Sequence, residues 1–138
     1  MKPLGYWLNR TDRALTTYMD TMLGEFGLTR LAWQVLNVVR DGRDVSDTAV
    51  LSAMREMGGT ESLTATIELV LGDGWVHRPG SDRLALTESG RTRLGQVETA
   101  IADFRELSAR GISAEEYRIA VSVLERMTHN LESTEPAG

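Results

Sequence analysis

The chain contains no cysteine. That single absence removes disulfides, a thiol nucleophile, thiolate metal ligands and thiol-based redox sensing. Histidine is nearly as scarce. His77 and His129 are the two present, far apart and on different predicted elements, so no metal-ligating pair of the His-x-x-x-His kind is expected. A Gly-rich phosphate loop, a nucleophile and base at motif spacing, and paired carboxylates at strand ends are all missing, and Gly72, Gly74 and Gly80 read as turn glycines. A catalytic role is therefore not expected, nor any cofactor. Long apolar runs are lacking too: nothing approaches the roughly 18 to 20 residues a membrane span needs, and no basic stretch followed by an apolar run marks the first residues. The expected location is cytoplasmic, with no membrane partner. Finally, positive charge is in deficit, with 15 Lys and Arg against 20 Asp and Glu for a net charge of -5. Such a balance opposes indiscriminate binding to phosphate backbones.

What is present is an ordinary globular chain of 138 residues, 41% hydrophobic and 25% charged, enough for one domain with a core. Its charge is unevenly spread. Between Gly74 and Gly95 lie Arg78, Arg83, Arg91 and Arg93 against Asp82 and Glu88, while both ends are rich in acid.

Hydrophobic spacing divides the chain into helices with one interruption. Pro3 suits a first helical turn, and Leu4, Leu8, Leu15, Met19, Met22 and Phe26 then form one apolar stripe that Gly27 stops. Thr29 is placed to cap a second helix, whose inner face is Leu31, Ala32, Val35, Leu36 and Val39 and which ends at Asp41-Gly42. Asp44 or Ser46 caps a short third helix with Val50, Leu51 and Met54 inward. Gly58-Gly59 ends that helix, and Thr60 caps a fourth that runs to about Leu71. In the fourth helix Leu63, Ile67, Val70 and Leu71 share the buried face, leaving Glu61, Ser62, Ala65, Glu68 and Leu69 outward.

After Gly74 the period becomes two. Trp75 to Arg78, a Pro79-Gly80-Ser81-Asp82 turn and Arg83 to Leu86 read as a hairpin, with Pro79 and Gly80 suited to the inner positions of a type II turn. Thr87 caps a fifth helix striped by Leu94, Val97, Ile101, Phe104 and Leu107 and closed by Arg110-Gly111. Ser113-Ala114-Glu115-Glu116 is a capping box that starts a last helix carrying Tyr117, Ala120, Val121, Leu124, Met127 and Leu131. The expected fold is mainly α with a small β-hairpin wing. The stripes on the first and last helices exceed what one small core can cover, which leaves apolar surface for a partner.

Three strings in this order resemble the MarR family of winged helix-turn-helix transcription regulators. Gly74-Trp75-Val76-His77-Arg78-Pro79 resembles the family's Gly-Leu-Val-x-Arg lead into the wing. Asp82-Arg83 resembles its Asp-x-Arg wing tip, and Leu86-Thr87-Glu88-Ser89-Gly90 its Leu-Thr-x-x-Gly return to helix. The resemblance runs from about Leu4 to Leu131. It implies one chain, 1–138, with a DNA-binding lobe over 29–90, a helical dimerisation region over 1–28 plus 91–132, and a flexible tail at 133–138. It further implies a homodimer joined through Leu4, Leu8, Leu15, Ile101, Phe104, Tyr117, Leu124 and Leu131, bound to double-stranded DNA with its fourth helices in successive major grooves. A small aromatic effector is implied, with Trp7 and Trp33 as pocket residues, and repression is the expected mode.

Two departures bear on the DNA contact. The outward face of the fourth helix has Ala65 and Leu69 where the family commonly carries a basic residue, and it adds Glu61 and Glu68. The wing is also shorter by a few residues between Arg83 and Leu86. Base readout then falls to Ser62, Thr64, Thr66 and Glu68, and phosphate contact to Arg55, Arg78, Arg83 with its neighbour Asp82, Arg91 and Arg93. The alternative is a winged-helix interaction module that has lost tight DNA binding and holds a protein on the face around Glu61, Glu68 and Leu69.

Overall fold

The helices follow the apolar spacing closely. The structure, a computed structural model, describes residues 1–42 and 45–134. It divides into two compact units, Met1–Ala100 and Ile101–Gly138. The first unit holds α1 (Leu4–Glu25), α2 (Arg30–Gly42), β1 (Val45–Ser46), α3 (Asp47–Ala53), α4 (Thr60–Gly72), β2 (Val76–His77), β3 (Arg83–Leu86) and most of α5 (Glu88–Ser108). The second holds the end of α5 and α6 (Ala114–Glu132). Among the described residues no helix is long and apolar enough to cross a membrane.

In the first unit α2 is the centre, touching α1, α3, α4 and β3. Its Ala32, Val35, Leu36 and Val39 are wholly buried, spaced three and four apart so that one stripe faces the core. Leu23, Val50, Leu63, Ile67, Val70, Trp75, Leu84, Leu94 and Val97 complete that core. Each such Leu or Val contributes about 1.5–3 kcal/mol of burial. α1 commits only Met22 and Leu23, whereas Leu4, Leu8 and Leu15 stay exposed. In the second unit α6 buries nothing, and Tyr117, Ile119, Val121, Met127 and Leu131 remain exposed.

The ends of the helices behave as their chemistry dictates. Gly27 terminates α1 at φ 75°, a left-handed conformation that costs glycine little. Thr29 Oγ1 accepts from the Ala32 N–H at 3.1 Å. Ser46 is the cap of α3, accepting from the Ala49 N–H at 3.0 Å, and Asp44 lies outside the described residues. Ser113 and Glu116 make the reciprocal capping box at 3.0 and 2.9 Å. Residues 135–138 of the expected tail also lie outside the described residues.

Four local expectations are corrected. The third helix ends at Ala53, well before Gly58-Gly59, and a turn through Met54 and Met57 follows. Thr60 is the first residue of α4 rather than its cap. The cap is Gly59, whose backbone alone must serve because it has no side chain to bond the first turn. The hairpin turn closes through the Arg83 N–H on the Gly80 carbonyl at 3.2 Å, so Ser81 and Asp82 occupy its inner positions. Gly80 is not among the positive-φ glycines, which removes the type II turn expected at Pro79-Gly80. A third strand also exists. The sheet order is β1-β3-β2, antiparallel throughout, with Val45 opposite Leu84 and Val76 opposite Leu86. At two residues β1 is too short for any alternation to reveal it.

The junction of hairpin and α5 is close-packed. Thr87 Oγ1 donates to the Gly74 carbonyl at 2.6 Å and accepts from the Gly90 N–H at 2.8 Å. A β-carbon at Gly90 would overlap the Trp75 carbonyl, so this helix approaches the strand only because residue 90 has no side chain.

Candidate nucleic-acid interface

α4 presents Glu61, Ser62, Thr64, Ala65, Glu68 and Leu69 as exposed residues, the outward face opposite Leu63, Ile67 and Val70. Thr66 departs from its expected role as a base reader. It is half-buried, and its hydroxyl donates to the Ser62 carbonyl at 2.7 Å, the usual way a mid-helix threonine satisfies itself. That leaves Ser62, Thr64 and Glu68 as the polar side chains offered outward from the middle of this helix.

Of the five arginines expected on phosphates, Arg55, Arg78, Arg83 and Arg91 are exposed and Arg93 is half-buried. Arg55 sits in the turn between α3 and α4 and, with Thr48, Ser52, Gly59 and Thr60, lines a hollow of about 390 Å³. The first turn of α4, with no side-chain cap, opens beside the same hollow. Unpaired N–H groups and a guanidinium together suit an anionic oxygen.

For Arg93 and Arg78 the partners lie within the lobe. Arg93 lies over the Trp75 ring, its guanidinium carbon 3.8 Å from the centroid, and donates to the Asp73 carbonyl at 3.1 Å. Arg78 makes a two-pronged pair with Asp47, at 2.8 and 2.9 Å. The bonds to Asp47 raise the pKa of Arg78 further above its ordinary value. Burial opposes this, and the charges of Asp47, Asp82 and Glu68 reinforce it. Asp82 is exposed in the turn, where its carbonyl accepts the Asp47 N–H at 3.0 Å.

No protein-family profile and no curated protein sequence matches the chain. Solved structures do. The reduced form of MarR from Escherichia coli superposes with a TM-score of 0.71 at 17% identity, covering 92% of this chain and 94% of that one. The MarR family protein Rv2887 of Mycobacterium tuberculosis, in complex with DNA, gives 0.71 at 20% identity over 92% and 98%. The same protein in complex with salicylic acid gives 0.63 at 20% over 92% and 99%. The chain has the MarR winged-helix fold. On that fold β2 and β3 form the wing, beside α3 and α4.

The remaining expected residues scatter. Trp7 is exposed on α1, edge-on to Tyr6 with ring centroids 5.0 Å apart, and Arg10 lies over both rings. Trp33 is half-buried on α2, its Nε1 buried without a hydrogen-bond partner among the described residues. Neither tryptophan lines the hollow of about 790 Å³ that runs along α1, which is lined by Tyr6, Arg10, Arg13, Thr17 and Tyr18 among others. Cations and phenol rings one helical turn apart on a single helix mark it, and that pattern was readable at the i, i+4 spacing of Tyr6 and Arg10. Of the expected dimer contacts, Leu4, Leu8, Leu15, Tyr117 and Leu131 are exposed, while Phe104 and Leu124 are half-buried. Ile101, at 4% exposure, is a core residue of its own chain and is withdrawn from that set.

Proposed function

We propose that this chain is a MarR-type transcription regulator that binds double-stranded DNA as a homodimer. The observation that carries the reading is the lobe itself: an exposed α4 with a hairpin wing beside it, on a fold shared with a protein solved on DNA. In this reading α4 enters the major groove, Ser62, Thr64 and Glu68 meet base edges, and Arg55, Arg83 and Arg91 meet phosphates. The exposed apolar residues of α1 and α6 supply the dimer contact, since neither helix covers them within its own unit. Repression follows if the operator overlaps a promoter. Retardation of fragments from upstream of the protein's own gene, at low and moderate salt, tests the proposal. Absence of any shifted species at low salt would remove it.

The cavity along α1 supports a small aromatic acid as effector. Arg10 and Arg13 match a carboxylate, Tyr6 and Tyr18 match an aromatic ring, and a protein of the same fold has been solved with salicylic acid. The pocket residues are then Tyr6, Arg10 and Arg13 rather than Trp7 and Trp33. Saturable change of tryptophan emission on titrating benzoic and phenolic acids, abolished by Arg13→Ala, is the test.

A second reading is favoured by the charge of the α4 face. Glu61, Glu68 and Leu69 are exposed there with no Lys or Arg between them, and Leu69 is 46% exposed. A protein surface carrying basic residues around an apolar spot would fit that face better than a phosphate backbone does. Failure of the retardation assay with retained dimerisation is the outcome that selects this reading.

A further inference from the structure

Arg78 sits where the resemblance puts a phosphate-binding cation, yet its partners lie inside the protein. Both its terminal nitrogens meet the two carboxylate oxygens of Asp47, the fork-to-fork geometry that makes arginine and carboxylate pair strongly. The side chains are 33% and 31% exposed, so water screens the pair less than it would on an open surface. Arg78 reaches further, donating to the Arg83 carbonyl at 3.4 Å across the hairpin. Asp47 is fastened a second time: its backbone N–H bonds the Asp82 carbonyl at 3.0 Å. The first residue of α3 thus grips the hairpin at Arg78 on one side and at the Asp82-Arg83 tip on the other.

The hairpin needs such a grip. β2 is two residues long and so is β1. Two-stranded pairing of that length does not hold an orientation in water. The surrounding charge also argues against a phosphate at this spot. Asp47, Asp82 and Glu68 all lie close enough to act on the Arg78 charge. An anion arriving there meets three carboxylates and one guanidinium that is already satisfied.

We propose that Arg78 is a positioning residue, the strut that sets the angle of the wing against α3 through Asp47, and not a contact to the nucleic acid. The inference rests on the DNA-binding reading for its consequence but not for its geometry. Arg78 delivers Arg83 to the duplex, and Asp47 is as much a part of that delivery as Arg78.

The two roles for Arg78 predict opposite results for Asp47→Asn. A phosphate ligand freed from its internal partner would bind DNA more tightly and steepen the dependence of affinity on salt. A strut that has lost its foot lets the wing swing. Affinity for a labelled random-sequence duplex then falls roughly threefold to tenfold, which is about 0.7–1.4 kcal/mol, with no steepening. The arm that needs no DNA is amide hydrogen exchange in the dimer. Ser81 to Ala85 should exchange about tenfold faster in Asp47→Asn and in Arg78→Gln. The double variant should be no worse than Arg78→Gln alone, because the pair with Asp47 is already lost in that single variant. Arg78→Lys keeps the charge but not the fork and should fall between. Tighter binding of Asp47→Asn with a steeper salt slope overturns the proposal, and so does unchanged exchange at the hairpin. A protein that binds no duplex at all removes the DNA reading, while the exchange measurement still decides the strut.

Discussion

Gly90→Ala puts the junction of wing and α5 under direct test. A methyl group at this position overlaps the Trp75 carbonyl oxygen and stands 3.0 Å from Thr87 Oγ1. The obstructing atom is backbone, so no rotamer change relieves the overlap, and α5 must lift. Lifting stretches the bond from the Gly90 N–H to Thr87 Oγ1, 2.8 Å, and the bond from the Thr87 N–H to the Trp75 carbonyl, 3.0 Å. Two hydrogen bonds at about 1 kcal/mol each and overpacking of about 1–3 kcal/mol oppose a helix-propensity gain near 1 kcal/mol, for a net loss of about 2–4 kcal/mol. Gly95→Ala in the same helix is the control, since nothing lies within 4 Å of its added carbon. It should stabilise by about 0.5–1 kcal/mol. Urea unfolding followed by tryptophan emission reads both, because Trp75 is fully buried beside the junction. With a slope of about 1–3 kcal/mol per molar urea, Gly90→Ala should lower the midpoint by about 1 M or more. Equal, same-direction shifts for the two variants would refute the close-approach argument.

Three further outcomes follow from the same residues. Arg83→Ala should flatten the salt dependence of duplex binding by about one to two units from a dimer value near −5, since the three arginines per subunit proposed to meet phosphates imply about six contacts at roughly 0.9 each. An unchanged slope in a filter-binding titration removes the wing from the interface. Leu15→Glu should convert the dimer to monomer in sedimentation equilibrium while leaving the monomer's fold intact, because Leu15 is 42% exposed within its own chain. Ser113→Ala should lower the helicity of α6 and cost about 1 kcal/mol. The Ser113 backbone N–H, and after it the hydroxyl, hold the Glu116 carboxyl below its ordinary range. The Glu116 half of the capping box is therefore complete above that range, and circular dichroism should show that half lost as pH falls from about 4 through the depressed value.

Legibility in the sequence tracked how many residues shared a pattern. The five longer helices, each with a stripe of apolar residues at three- and four-residue spacing, were placed to within a few residues, and the capping box of α6 was placed to the residue. Where one or two residues decide, the pattern failed. β1 is a strand only because Leu84 and Arg83 pair with Val45 and Ser46, and those partners lie too far along the chain for any local signal. The hairpin turn was misassigned because Pro79-Gly80 satisfies a local preference, while the register of β2 on β3 moves the closure to Gly80 and Arg83. At the site, residue type told which side chains carry charge and nothing about where that charge goes. Arg78 and Arg93 look the same on the page, and only the fold brings Asp47 to one and Trp75 to the other.

That partition changes what the lobe offers a ligand. A cation that has found a carboxylate fork or an aromatic face contributes to the shape of the protein, and recruiting it to a phosphate requires breaking the bond it already has. In this chain the engaged pair lies at the two ends of the hairpin, Arg78 near its tip and Arg93 behind its base at Trp75. The wing is therefore held at both ends by charges that a more basic surface would have turned outward. What remains outward on α4 is acid, hydroxyl and Leu69. Long-range attraction from such a face is weak, so on the proposed DNA reading binding would come from fit: a wing held at one angle, two or three phosphates met by Arg55, Arg83 and Arg91, and base edges that donate to Glu68. A lobe that binds in this proposed way would gain selectivity from rejecting most duplex, since every sequence without a donor opposite Glu68 would leave a carboxylate unpaired against the groove.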